Sequence, residues 1–260
     1  MNHRDLLSYT PNKQLLNDKV ILVTGASDGI GKTIAKAYAE HGATVVLLSK
    51  TIKKLEVVYD EIIANGDPEP AIYPLNLEGA NINDYLEMAS HIKEQLGGLD
   101  GIALNAAALP AYTPIKFYDV EQWSKTITTN LHANFLIIQA CLPLLEQSTD
   151  AAIVISSHHA SQAFNGAYGV AKAGLDALLK ITAEEYDDKP FIRVNGIDTG
   201  PLRTKLRTNH FPGEDISSLA TPNAIIGPYL YFMGGDAKRR TGEIIQFDRL
   251  PNDAKWPTND

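Results

Sequence analysis

The chain has 260 residues, 44% of them hydrophobic, and a formal charge of −8 at pH 7. That length allows one large α/β domain or two small ones, and the acidic balance argues against nucleic-acid or anionic-membrane surfaces, which reward clustered Lys and Arg. The single cysteine, Cys141, excludes an intramolecular disulfide and a CxxC metal site.

Residues 1–18 read as a polar arm with a short anchor, Leu15-Leu16. The start, Met-Asn-His-Arg-Asp, lacks a secretory apolar region, and no later segment is long enough to span a bilayer, so a reducing cytoplasm is the expected setting. The first strand is Val20–Val23, and Thr24–Gly31 then opens a helix over Lys32–Glu40 with Ile34, Ala35, Tyr38 and Ala39 on one face. Thr44–Leu48 is a continuous apolar run, as a strand buried on both faces requires. Leu55, Val58, Tyr59, Ile62 and Ile63 pattern the next helix, which Asn65-Gly66 ends before a third strand, Ala71–Leu75. A third helix runs from Ile82 to Leu96 and closes on Gly97-Gly98; strand four is Gly101–Leu104.

A loop leads from there to one long helix, Glu121 to Gln147, with Pro143 bending its last turns. Strand five, Ala152–Ile155, is followed by a helix near Ala167–Tyr186 and a strand at Ile192–Ile197. An excursion over 199–222 precedes a helix near Asn223–Met233 and a last strand, Glu243–Phe247. Regular alternation of strand and helix predicts a doubly wound α/β fold: a mostly parallel seven-stranded sheet, helices on both faces, one domain over 1–260.

Thr24–Gly31 reads Thr-Gly-Ala-Ser-Asp-Gly-Ile-Gly. A buried strand feeding a helix through a glycine-rich turn is an anion site, because the helix N-terminus offers unpaired N–H groups and a positive dipole end. Gly25 permits the tight turn, Gly29 the approach of a pyrophosphate and Gly31 the packing of helix on strand, which together point to a dinucleotide. An NAD site needs a carboxylate at the end of strand two for the ribose 2′-hydroxyl. Here that place holds Ser49-Lys50, followed by Lys53 and Lys54, so a 2′-phosphate and NADP(H) are expected, with Asp28 working against it.

Tyr168 and Lys172 stand four apart in a predicted helix and project from nearly one face. An ammonium beside a phenol favours the phenolate, so such a pair can exchange a proton with a carbonyl oxygen. Tyr9…Lys13 and Tyr112…Lys116 share the spacing, but Pro11 and Pro114 interrupt them and they are read as chance. Just upstream, Ile153-Val-Ile-Ser-Ser157 puts a serine at the mouth of strand five, Ser157 being favoured over Ser156. His158-His159 are too few and too divergent for a metal site; one is expected to line the pocket and the other to face solvent. Arg203, Lys205, Arg207 and His210 crowd the excursion, either as a solvated face or as a lure for an anionic substrate.

The glycine motif, Ser157, Tyr168-Gly-Val-Ala-Lys172 and Asn130 in Thr129-Asn-Leu resemble the short-chain dehydrogenase/reductase family over Asn17 to about Asp248. Leu15–Gly31 and Thr221–Thr241 are most similar to a poorly characterised bacterial branch of NADP-type oxidoreductases. The resemblance implies a Rossmann fold and a tetrad of Asn130, Ser157, Tyr168 and Lys172. In it Tyr168 is the general acid/base, Lys172 lowers its pKa and holds the ribose, Ser157 orients the carbonyl and Asn130 keeps a water in the relay. It implies cofactor contacts from Gly25, Ser27, Asp28, Gly29, Ile30 and Gly31; from Ser49, Lys50, Asn76 and Leu77; and from Asn105, Ala106 and Ala107. Tyr168, Lys172, Gly200, Pro201 and Thr204 complete the set, Asn195 steadies strand six, and residues 199–222 form a substrate lid. The chain departs from the family pattern at Leu104, Ala107, Asn76 and Thr199, in the short interval from Ser157 to Tyr168, and at Phe247-Asp-Arg-Leu.

The reading that results is an NADP(H)-dependent oxidoreductase acting on a small carbonyl/alcohol substrate, without metal and as a homo-oligomer, dimer or tetramer. The alternative is a non-catalytic NADP(H) sensor on the same fold, against which the complete tetrad argues.

Overall fold

A computed structural model of the protein describes residues 3–247; Met1, Asn2 and the tail from Asp248, where the family resemblance ends, lie outside the described residues. The strands are β1 (Val20–Thr24), β2 (Thr44–Ser49), β3 (Ala71–Pro74), β4 (Gly101–Leu104), β5 (Ala151–Ser157), β6 (Ile192–Asp198) and β7 (Ile244–Gln246). They form one seven-stranded sheet in the order β3-β2-β1-β4-β5-β6-β7. Every neighbouring pair is parallel, so the expected "mostly parallel" sheet is parallel throughout. The helices are α1 (His3–Leu7), α2 (Gly29–Glu40), α3 (Ile52–Ala64), α4 (Ile82–Leu96), α5 (Val120–Ile127), α6 (Ala133–Leu145), α7 (Gly166–Glu185), α8 (Lys205–His210) and α9 (Ile226–Met233).

Side chains alternate across each strand, and both faces are covered, which is why the strands read as unbroken apolar runs. Along β1, Ile21 and Val23 join a core shared with α2, α3 and α9; Val20 and Leu22 join a second core with α4, α6 and α7. Cys141 lies in that second core, and burial pushes its thiol up to about 12. At the amino end of the sheet, Arg193 of β6 bonds Asp150, which Lys19 also holds at 2.6 Å. Burial raises the Asp150 carboxyl, but these two cations outweigh it and hold it below the usual range. Asn195 ties β6 to the chain before β7, donating to the Arg240 carbonyl at 2.8 Å and accepting from the Glu243 N–H at 3.1 Å.

Strand order reverses between β1 and β4, so the loops after these strands diverge and leave a crevice at the carboxyl edge. Two expectations need correcting. The long helix over Glu121–Gln147 is not uniform: between α5 and α6 the turn Thr128–His132 is a π-helix. Its cause is Asn130, whose side-chain amide donates to the Thr126 carbonyl at 2.9 Å and to the Ala108 carbonyl at 2.8 Å, drawing the wide turn toward the β4 loop. The helix expected near Asn223–Met233 begins as a 3₁₀ turn, Pro222–Ile225, and becomes α-helical only at Ile226. The excursion after β6 carries the short helix α8, capped by Thr204, whose hydroxyl accepts from the Arg207 N–H at 3.2 Å.

Candidate active site

The crevice is a cleft of about 660 Å³. The glycine turn forms one wall. Gly25 has φ 68° and Gly29 φ 52°, both in the left-handed region that disfavours side chains. A Cβ on Gly25 would meet Ala106 Cα at 3.0 Å, so the turn lies directly against the loop after β4. The Thr24 hydroxyl holds that loop, accepting from the N–H groups of Asn105 at 2.9 Å and Ala106 at 3.0 Å. Asp28 caps α2, its carboxylate accepting from the Gly29 N–H at 2.8 Å.

Most of the residues singled out in the sequence line this one cleft: Gly25, Ser27, Asp28, Gly29 and Ile30 from the turn, Ser49 and Lys50 after β2, and Asn76 and Leu77 after β3. Asn105, Ala106 and Ala107 after β4, and Gly200, Pro201 and Thr204 after β6, line it together with Ser157, Tyr168 and Lys172. Gly31 and Asn130 do not. A Cβ on Gly31 would fall 2.2 Å from the Gly25 carbonyl oxygen, so this glycine packs α2 on the turn, as its assigned role requires. Asn130 is 1% exposed and spends its side chain on Thr126 and on both backbone groups of Ala108, which places it beneath the loop rather than in the cleft.

Tyr168, Lys172 and Asp176 stand at successive i, i+4 positions of α7 and form one stripe. Gly169 lets α7 close on the short loop after β5, for a Cβ there would meet the Ala160 carbonyl oxygen at 2.2 Å. The Lys172 ammonium donates to the Ser156 carbonyl at 2.7 Å and lies 5.9 Å from the centre of the Tyr168 ring. Burial draws Lys172 down to about 8, against the pull of Asp176 and Asp198. Burial also pushes the Tyr168 hydroxyl well up, with Tyr112 and Asp198 adding to it, so the depression by Lys172 that the family resemblance implies is not what this geometry produces. The Ser157 hydroxyl donates to Asp176 at 2.5 Å, while Ser156 points elsewhere, donating to Asn105 at 3.0 Å and bonding the Tyr229 hydroxyl at 2.7 Å.

Lys54 reaches the Asp28 carboxylate at 3.2 Å, which offsets the charge that Asp28 presents toward a phosphate beside Ser49 and Lys50. The lid cations are not a free lure. Arg203 donates to the carbonyls of Ile216, Ser217 and Leu219, and Arg207 pairs with Glu214 at 2.6 Å, so the reading of this run as an anion trap is not supported. His210 ties α8 to the β4 loop through the Leu109 carbonyl at 2.5 Å. His158 lines the cleft and His159 is exposed, the division expected for the pair. Asp176 and Tyr112 were not singled out beforehand. Asp176 repeats the four-residue step from Lys172 and was accessible to that signal; Tyr112, whose spacing to Lys116 was discounted, enters the cleft from a loop that carries no periodicity.

The pattern of the short chain dehydrogenase family matches residues 19–215. The chain belongs to that family. It is an NAD(P)-dependent oxidoreductase of the short chain dehydrogenase type. An uncharacterised oxidoreductase of Escherichia coli K12, YciK, is 36% identical over 248 residues, 94% of this chain and 97% of that one. Cyclohexanol dehydrogenase of Acinetobacter sp. SE19 is 30% identical, covering 89% of this chain and 94% of its own. A short chain dehydrogenase of Shigella flexneri, solved in complex with NADP, superposes with a TM-score of 0.87 at 36% identity, covering 90% of this chain and 99% of that one. No described helix is long and apolar enough to cross a membrane. Among the described residues no group of three or more His, Cys, Asp or Glu side chains is placed to hold a metal ion.

Proposed function

We propose that the protein is an NADP(H)-dependent reductase of a small carbonyl compound, with Tyr168 as the proton donor. The observation that carries this reading is that Tyr168, Lys172 and Ser157 line the same cleft as the glycine turn. The turn suits a dinucleotide: Gly25 and Gly29 leave a bare backbone wall, with the N-terminus of α2 beside it. Ser49 and Lys50 offer a hydroxyl and an ammonium where a 2′-phosphate is to be told from a hydroxyl, and Lys54 compensates Asp28. The binding of NADP by the Shigella flexneri relative supports the same choice.

A bound reduced nicotinamide supplies the hydride. The chain's own residues supply the proton and its control. Burial holds Tyr168 as the neutral phenol at pH 7, the form that can donate to a carbonyl oxygen, so the geometry favours reduction. Lys172, fixed by the Ser156 carbonyl, sets a positive charge beside the phenolate left behind. Ser157 turns its hydroxyl from Asp176 to the substrate oxygen and shares the developing charge. The exposed apolar side chains Phe135 on α6 and Val170 and Ile181 on α7 suit a homo-oligomeric contact, which light scattering measures.

The test is NADPH consumption over ketones, aldehydes and quinones, including cyclohexanone, the ketone of the Acinetobacter relative's named alcohol. Tyr168→Phe should lower turnover by about a hundredfold or more. Undiminished turnover in that variant would remove Tyr168 from the chemistry.

A further inference from the structure

His158, the first residue after β5, lines the cleft with its ring 6.0 Å from that of Tyr168, centre to centre. Its Nδ1 lies 3.3 Å from Oδ1 of Asp198, the last residue of β6. The sheet register sets up this meeting, since Ser157 lies opposite Asp198 on neighbouring parallel strands. Asp198 is 4% exposed and firmly held: the His159 N–H donates to Oδ2 at 2.7 Å and the Gly200 N–H to Oδ1 at 3.1 Å. Burial works to raise its carboxyl, but the bonds from His158, His159 and Gly200 outweigh it, so the group is an anion at neutral pH. A carboxylate at Nδ1 fixes the ring's orientation and leaves Nε2 as the nitrogen that can take or give a proton.

The other polar groups near Tyr168 have their hydrogen bonds committed elsewhere. Lys172 donates to the Ser156 carbonyl and Ser157 to Asp176. Asn130 bonds Ala108 and Thr126 through its side chain, and its own carbonyl accepts from Asn134 Nδ2 at 2.7 Å, so the π turn is closed on itself. His158 is half-exposed, joining Tyr168 to solvent.

Accepting Tyr168 as the proton donor, we propose that His158 and Asp198 form a second acid–base unit that returns the proton to Tyr168 after each reduction. When the Tyr168 O–H bond breaks, its proton goes to the substrate oxygen and the phenolate remains. The Nε2–H bond of the His158 imidazolium then breaks, directly or across one water, restoring the phenol. The neutral ring, still bonded to Asp198 through Nδ1, regains its proton from solvent. No electrons change hands in these steps, and one solvent proton is consumed per turnover.

The test uses the full chain with NADPH and the carbonyl of the panel above that turns over fastest. His158→Gln should lower kcat by about tenfold or more with KM changed less than about twofold, and added imidazole should restore His158→Ala in proportion to its concentration. Without substrate, nitrogen NMR of the imidazole should find the proton on Nδ1 in the wild type and lose that preference in Asp198→Asn, which keeps an oxygen for the His159 and Gly200 N–H groups. A rise in KM alone, with no rescue by imidazole, would reduce His158 to a binding contact and overturn the proposal; so would a ring whose tautomer ignores Asp198. If Tyr168→Phe is inactive while His158→Gln is unimpaired, only this proposal falls. If Tyr168→Phe keeps full turnover, the parent reading falls as well.

Discussion

Gly31→Ala adds one methyl where α2 rests on the glycine turn. Its Cβ would lie 2.2 Å from the Gly25 carbonyl oxygen and 2.6 Å from Asn105 Nδ2, against ordinary contacts beginning at 3.4 Å. The nearer neighbour is backbone and cannot rotate aside, so α2 must retreat by about 1 Å. In a helix alanine is worth roughly 0.5–1 kcal/mol over glycine, but overpacking of this kind costs about 1–3 kcal/mol. Packing wins, and the net loss of about 1–2 kcal/mol lowers Tm by about 2–8 °C for a chain of this size. Stability alone does not separate this from any other glycine replacement. Gly66→Ala, at φ 81° with nothing within 4 Å, strains the backbone but leaves the cleft untouched. The discriminating assay is thermal unfolding with and without NADPH at a concentration giving the wild type a clear upward shift. Gly66→Ala should retain that shift and Gly31→Ala should lose most of it. A full wild-type shift in Gly31→Ala would refute the argument that this contact shapes the dinucleotide wall.

Lys54→Glu removes the partner of Asp28 and adds a second carboxylate, so the KM for NADPH should rise by about tenfold while that for NADH barely moves; a wild-type KM for NADH at or below that for NADPH would defeat the NADP assignment outright. Asp150→Asn leaves Arg193, 4% exposed, without its anion and should cost about 3 kcal/mol, the low end for a broken buried pair because Asp150 is 31% exposed. The Asp150 carboxyl is depressed in the folded state, so its contribution is present above the unfolded carboxyl pKa of about 3.9 and is lost as pH falls through the lower folded value. Acid melts should accordingly bring wild type and Asp150→Asn together below that range, and a constant gap in Tm would contradict it. His210→Ala frees α8 from the Leu109 carbonyl, so substrate KM should rise and trypsin should cut the lid faster; unchanged cleavage would mean the lid is held elsewhere.

The fold was legible because its strongest signals are local. Apolar runs such as Thr44–Ser49 are buried on both faces, and the turn glycines break helix and strand where the backbone needs them. The sites of failure have a common physical origin: a side chain found a backbone partner distant in sequence. Asn130 was assigned to the cleft by likeness, yet its amide goes to Ala108, 22 positions away, and widens the helix there. Arg203 carries a charge that suggests an anion, but its hydrogen bonds go to carbonyls of Ile216, Ser217 and Leu219 in the folded lid. The spacing of Tyr168 and Lys172 was readable, whereas their electrostatics depend on burial and on Asp198, which another strand brings in. The His158–Asp198 contact has no sequence periodicity at all; it follows from the register between β5 and β6.

Cys141 offers an intrinsic clock for the opening of this molecule. It is the chain's one thiol, 0% exposed, and protonated across the neutral range, so a thiol reagent in the medium has nothing to attack while α6 stays seated on the sheet. The pace at which an unmodified sample acquires a label therefore counts the excursions in which that helix lifts away, with no engineered reporter needed. Saturating the crevice on the other side of β4 with a nucleotide should slow that pace only if the two halves of the sheet come apart together.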